Sequence, residues 1–169
     1  MASVEKRIAA AFGLDDKGWA RHANPWSGWS RILTGMSLII VAVWSRVWIG
    51  WWSLVPIVLV MLWIWANPRL FPPPADDHAW ISRGVFGEKL WAERVPDAVA
   101  RYPAWRAKAT NGVAFVGALV LVYGLIRLDA AATIIGASLG YIGKMVFIGD
   151  MVRLYDEVKA AAPHLGYAS

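Results

Sequence analysis

Cysteine is absent from the chain, which rules out disulfides and every thiolate mechanism and leaves the redox compartment open. Charge is scarce. Asp, Glu, Lys and Arg make up 17% of the 169 residues, against about 25% in a typical soluble domain. Three histidines are too few for the large His sets of di-iron membrane hydroxylases, and the bundle-type Glu-x-x-His motif does not occur. There is no Gly-rich phosphate loop, nucleophile elbow or zincin motif. The first thirty residues hold no long apolar run, so no cleavable signal peptide is expected.

Apolar and indole surface is abundant. Hydrophobic residues are 58% of the chain, mean hydropathy is +0.44 and there are twelve tryptophans. Trp concentrates at the boundary between acyl chains and headgroups. The net charge of +5 therefore points to a membrane surface rather than nucleic acid. The length suits a single domain over residues 1–169.

A first apolar block, Ile32 to Ala66, is too long for one crossing, which needs about 20 helical residues. It divides near Arg46 and Gly50, where Trp44, Trp48, Trp51 and Trp52 gather as an aromatic belt would. Pro56 predicts a kink in the second half. A second block, Asn111 to Gly149, divides at Arg127-Leu128-Asp129. The sequence thus predicts an all-α polytopic membrane protein. Its four transmembrane helices, at about 30–47, 51–66, 111–126 and 130–149, form two antiparallel hairpins joined by a cytoplasmic segment, 67–110. Gly136, Gly140 and Gly143 in the last span suit close helix packing.

Four spans put both termini on one side. Fifteen of the 17 Lys and Arg residues fall there, counting Lys144 near the inner end of the last span, and only Arg46 and Arg127 fall opposite. The positive-inside rule places that side in the cytoplasm of a cell membrane. Interfacial cytoplasmic helices are expected around Val4, Ile8 and Phe12, and over 78–95 with Trp80, Gly84, Trp91 and Val95 on one face. The stretch Asp150 to Ala162 should continue the last span.

Ala-Asn-Pro occurs twice, at Ala23-Asn24-Pro25 and Ala66-Asn67-Pro68. Asn is a favoured N-cap and Pro a favoured first helical residue, so the first copy starts a helix. A residue before Pro is pushed out of the α region, so the second copy should end one. The hairpin returns Asn67 to the depth of Asn24. The two copies are either punctuation or two amides of one polar site with His22 and Arg69 beside them.

The runs Trp19-Ala20-Arg21-His22-Ala23-Asn24-Pro25-Trp26-Ser27, Trp44-Ser45-Arg46, Asn67-Pro68-Arg69-Leu70-Phe71-Pro72-Pro73-Pro74, and Gly87-Glu88 with Trp91 resemble a family of small integral-membrane proteins of unknown function from bacteria and archaea. The resemblance covers about residues 15–95 with specific motifs and the later spans more loosely. It implies a multi-pass membrane protein and brings no reaction, cofactor or catalytic residue.

Candidate catalytic groups are His22, as general base or ligand, and Glu88, a carboxylate on the apolar side of its helix. Their bland readings are an interfacial histidine and a structural ion pair with Arg69 or Arg83. Asn24, Asn67, Arg69, His78 and Asp150 are candidate binding residues. His78 after Asp76-Asp77 reads equally as a solvated turn, and Asp150, Arg153, Asp156 and Glu157 as helical ion pairs. No pair of ligands has diagnostic metal spacing, and the cofactor is unknown. The expected partners are the bilayer and other membrane subunits or a second copy. Two function classes remain. One is an accessory or scaffold protein binding a membrane complex, lipid or pigment. The other is a small enzyme acting on a lipid-soluble substrate at the cytoplasmic interface through His22, Asn24, Asn67 and Glu88.

Overall fold

The computed structural model describes residues 16–167, and every element among them is helical. The helix expected around Val4, Ile8 and Phe12 lies outside the described residues. Three stretches are long and apolar enough to cross a membrane: Pro25–Leu70, Ala104–Arg127 and Ala130–Ala161.

The first stretch is not one rod. Helix α1 spans Asp16–His22 and α2 spans Pro25–Ser30. A π turn, Arg31–Gly35, leads into α3, Met36–Trp44, and a short α4, Arg46–Ile49. The chain then reverses at Gly50, whose φ of 54° and ψ of −129° suit only a residue without a Cβ. After a 3-10 turn comes α5, Leu54–Leu70. Its return is antiparallel: Trp63 Nε1 donates to Thr34 Oγ1 at 3.4 Å, and Asn67 Nδ2 donates to Ser30 Oγ at 2.8 Å.

Two proline expectations need correction. Pro56 lies in the first turn of α5, where a missing N–H has no helical acceptor to leave empty. No kink is required there. Asn67-Pro68 does not stop the helix, which runs on to Leu70 with Pro68 in its last turn.

Helix α6, Trp80–Ala92, is the larger correction. It is a core helix, not an interfacial one. Ile81, Val85, Phe86, Leu90 and Trp91 are buried on different sides of it. Two of its sides carry close approaches. Gly84 meets Ile148 and Val152, and a Cβ on Gly87 would lie 2.0 Å from the Met151 carbonyl oxygen. On another side Ile81 fills the space over Gly28, and Trp80 stacks on Trp29 at 5.8 Å.

A short α7, Pro96–Arg101, precedes α8, Ala104–Arg127. Helix α8 starts well before the apolar run at Asn111. Leu128 in the left-handed region closes it, and Asp129 caps α9, Ala130–Ala161, by accepting from the Ala132 N–H at 2.9 Å. The 32 residues of α9 measure about 48 Å. Its second half carries the buried core, in which Met151, Leu154, Tyr155 and Val158 pack with Trp19, Phe86, Trp91 and Tyr102. That core sits at the terminal end of the bundle, the end that holds residues 16 and 167.

Helices α8 and α9 touch through backbone. A Cβ on Gly136 would lie 2.2 Å from Leu121 N, one on Gly143 2.7 Å from Ala114 N, and one on Gly117 2.5 Å from Gly140 N. Gly140 itself turns its open side to Met36 Cε at 3.1 Å, which joins the two hairpins. Ser37 and Tyr141 hydroxyls, 3.2 Å apart, add a second tie. Arg46 donates to the carbonyls of Leu125, at 2.6 Å, and Ile126, neutralising the negative end of α8.

These approaches predict a graded glycine series. Gly136→Ala and Gly87→Ala force backbone apart and should destabilise by about 1–3 kcal/mol or more, the usual range for overpacking. Gly112→Ala and Gly149→Ala meet nothing within 4 Å and should be neutral or slightly stabilising. Thermal unfolding in detergent would check this, and equal unfolding temperatures for all four variants would contradict the packing.

Candidate functional site

Asn24 and Asn67 meet at Ser27. Asn24 caps α2 as its sequence position suggested: Oδ1 accepts from Trp26 N at 3.0 Å and Ser27 N at 3.2 Å. Its Nδ2 donates to the Pro72 carbonyl at 3.0 Å, so the same amide holds the proline run against the start of the hairpin. Asn67 is fully buried. It accepts from Ser27 Oγ at 2.8 Å and donates to Ser30 Oγ at 2.8 Å. Arg31 then donates to Ser27 Oγ at 2.7 Å and to the His22 carbonyl at 2.9 Å. Ser82 of α6 donates to the Ala23 carbonyl at 2.6 Å. The network ties together α1, α2, α5, α6 and the extended segment after α5.

The helix period explains the placement. Ser27, Ser30 and Arg31 stand three and four residues apart and so share one face. The π turn that follows lies beside the buried amide. Nothing in the isolated sequence marks these three residues, which sit in a Trp-rich run. Their only signal is that spacing opposite an Asn on the returning strand of the hairpin.

Arg69 does not join the site. It stacks over the Trp65 ring at 4.3 Å and donates to the Trp65 carbonyl on an exposed face. Residues 67 and 69 lie nearly opposite one another on a helix, so adjacency in sequence misled. Glu88 takes neither Arg69 nor Arg83 as partner. It pairs with Lys144 Nζ at 3.6 Å, while Arg83 pairs with Asp156 at 2.8 Å. Glu88 still interacts electrostatically with Arg31, which places its charge beside the network without a hydrogen bond into it.

His22 contributes its carbonyl. Its ring packs edge-on to Trp19 at 6.1 Å, and Nδ1 is buried with no hydrogen-bond partner among the described residues. Burial, then the charges of Arg31 and Lys144, depress its pKa from 6.5 to about 3. The imidazole is neutral at physiological pH, and a base that weak takes up little proton there.

The remaining candidates belong elsewhere. His78 is exposed, and its N–H donates to Asp76 Oδ1 at 2.9 Å in a local turn. Asp150 accepts from Arg106 Nη2 at 2.8 Å and Tyr102 OH at 3.2 Å, fastening α8 to α9. Asp156 pairs across to α6 instead of along its own helix. A further buried clip was not foreseen. Asp77 accepts from Tyr155 OH at 2.6 Å and from Lys159, and Tyr155 OH in turn accepts from Tyr167 N at 2.8 Å. Burial alone would raise the Asp77 pKa, but those donors hold it below the ordinary carboxylate value. Among the described residues no three His, Asp or Glu side chains gather as a metal site.

In this network nearly every donor and acceptor is used by another protein group. A carboxamide engaged at both ends is a clamp. The fold and site thus define an all-α protein with helices of membrane-crossing length and a closed polar clamp at one end. The chain belongs to DUF6653, a family of unknown function, whose family model matches residues 3–168. No curated protein and no solved structure matches it.

Two measurements probe the clamp. Asn67→Leu leaves the Ser27 hydroxyl proton without its acceptor and Ser30 Oγ without its amide donor and should cost about 1–3 kcal/mol, while Arg69→Gln should cost little. Equal unfolding temperatures for the two variants would contradict the assignment. The neutral His22 adds a pH term. Its folded pKa lies below its unfolded value, so its contribution is complete above about 6.5 and is lost as pH falls toward about 3. His22→Gln should flatten the drop in unfolding temperature across that window; an unchanged slope would contradict it.

Proposed function

We propose that this protein is a four-pass integral membrane protein with both termini on the cytoplasmic side. It acts by binding, as an accessory or scaffold subunit that joins a membrane assembly or holds a lipid or pigment. The observation that carries this reading is the placement of apolar surface. In Pro25–Leu70 the most apolar window is 6% buried, and in Ala104–Arg127 it is 17% buried. Val58, Leu62, Phe115, Leu119, Ile134 and Ile142 all face outward. A soluble domain rarely leaves so continuous an apolar belt open, whereas acyl chains would cover it. The Lys and Arg bias supports the orientation.

Binding is favoured over catalysis because the polar groups at the terminal end are spent on one another. The enzyme reading has one observation on its side, the buried Nδ1 of His22, unpartnered among the described residues and acted on by the charges of Arg31 and of Lys144, which pairs with Glu88. In that reading His22, Asn24, Asn67 and Glu88 would handle a lipid-soluble substrate at the cytoplasmic interface.

Purification in mild detergent, followed by native mass spectrometry and metal analysis, separates the two. The accessory reading expects a stoichiometric protein partner or retained small molecule that survives His22→Gln. An isolated protein carrying a metal, with turnover of a lipid abolished by His22→Gln, would overturn it.

A further inference from the structure

The end of the bundle opposite residues 16 and 167 carries an open apolar groove of about 380 Å³ between the two hairpins. Val41, Trp44 and Trp48 form one wall, and Ala130, Thr133 and Ile134 the other. The lone hydroxyl among them, on Thr133, is donated to the Asp129 carbonyl at 2.7 Å. The groove therefore offers water no good partner. It is continuous with outward-facing apolar surface, since Val41 is 64% and Ile134 66% exposed.

Two features say what fills it. The first is a cation at this end. Arg46 does not line the groove itself; it lies in sequence between the wall residues Trp44 and Trp48, and its Nη2 donates to two carbonyls in the last turn of α8, the helix that leads into the Ala130 wall. Its Nε and Nη1 have no protein partner among the described residues. Among the described residues only Arg46 and Arg127 carry positive charge at this end, and the nearby Asp129 carboxylate is engaged as the cap of α9. The second is an orphan donor, because the Trp44 Nε1–H is buried without an acceptor among the described residues. The exposed indoles of Trp48, Trp51 and Trp52 stand at the same end, where they suit a headgroup boundary.

We infer that this groove binds one anionic phospholipid, with an acyl chain between the hairpins and its phosphodiester on the free guanidinium nitrogens of Arg46. A guanidinium already held by two carbonyls loses little freedom when it pairs with a phosphate. The chain fills a groove that would otherwise lose packing contacts. The inference deepens the membrane reading above and rests on it.

The full chain, purified and stripped of loose lipid, is offered phosphatidylglycerol, phosphatidylcholine, diacylglycerol or glycerol phosphate, and retained ligand is counted by native mass spectrometry. Wild type should retain one phosphatidylglycerol in preference to phosphatidylcholine or diacylglycerol, and no glycerol phosphate. Ala130→Phe fills the groove and should weaken retention roughly tenfold or more. Ala131→Phe, one position along and outside the groove, should not. Arg46→Gln should bind phosphatidylglycerol and phosphatidylcholine alike. If Ala130→Phe does not fold, Trp48→Ala removes a wall and should also weaken retention. Full retention by the groove variants, or unchanged headgroup preference in Arg46→Gln, overturns the site. Alkaline extraction of native membranes separates that failure from the broader one. A chain released into the soluble fraction sinks the membrane reading itself, whereas a chain that stays embedded while the variants bind normally sinks the groove alone.

Discussion

Backbone contact along α9 is the constraint on which the rest of the structure depends. On one side Gly136 and Gly143 bring α8 so near that a methyl group would strike its amide nitrogens. Further along, the Met151 carbonyl occupies the space that a side chain on Gly87 would need. That approach sets the depth of α6. The depth of α6 in turn brings Ile81 over Gly28 and Ser82 to the Ala23 carbonyl, which fixes the start of α2. Ser27 then stands where the Asn67 amide of the returning helix can reach it. Dispersion and hydrogen bonding between close helices do not need water to drive them, so the same arrangement works in an apolar solvent.

Two chain reversals were legible because they rest on local chemistry. Gly50 has a backbone conformation open only to glycine, and Leu128-Asp129 closes one helix and caps the next. Not every other end was legible. Hydropathy marks where a helix changes surroundings, not where its hydrogen bonding stops. Helix α8 therefore begins at Ala104 although its apolar run begins near Asn111, whereas the run of α9 on to Ala161 was expected from the stretch Asp150 to Ala162. Proline also read too strongly at position 68, since a last turn tolerates what an interior turn does not.

The candidate site divided along the same line. Asn24 is a local signal, a cap followed by Pro, and it caps. Asn67, Ser27 and Ser30 depend on where the hairpin returns, and only tertiary geometry joins them. Glu88 finds Lys144 across the contact between α6 and α9, a pairing that no helical spacing encodes. The result is a molecule with two unlike ends. The terminal end holds a packed core, ion pairs and a closed polar clamp. The opposite end is apolar, indole-rich and open between its hairpins. Chemistry that needs free polar groups finds few at the first, and binding of an apolar body finds room at the second.

The claim at the centre of this account is that the two ends lie on opposite sides of a membrane. The chain has no cysteine, so single cysteines can be placed without background. Trp51→Cys and Arg127→Cys sit at the open end, and Lys108→Cys and His164→Cys at the terminal end. All four positions are exposed, and loss of Arg127 only strengthens the inward charge bias. Labelling of intact cells with a membrane-impermeant maleimide should mark positions 51 and 127 at once, and positions 108 and 164 only after permeabilisation. Equal labelling of all four in intact cells, or labelling of 108 and 164 alone, would contradict it.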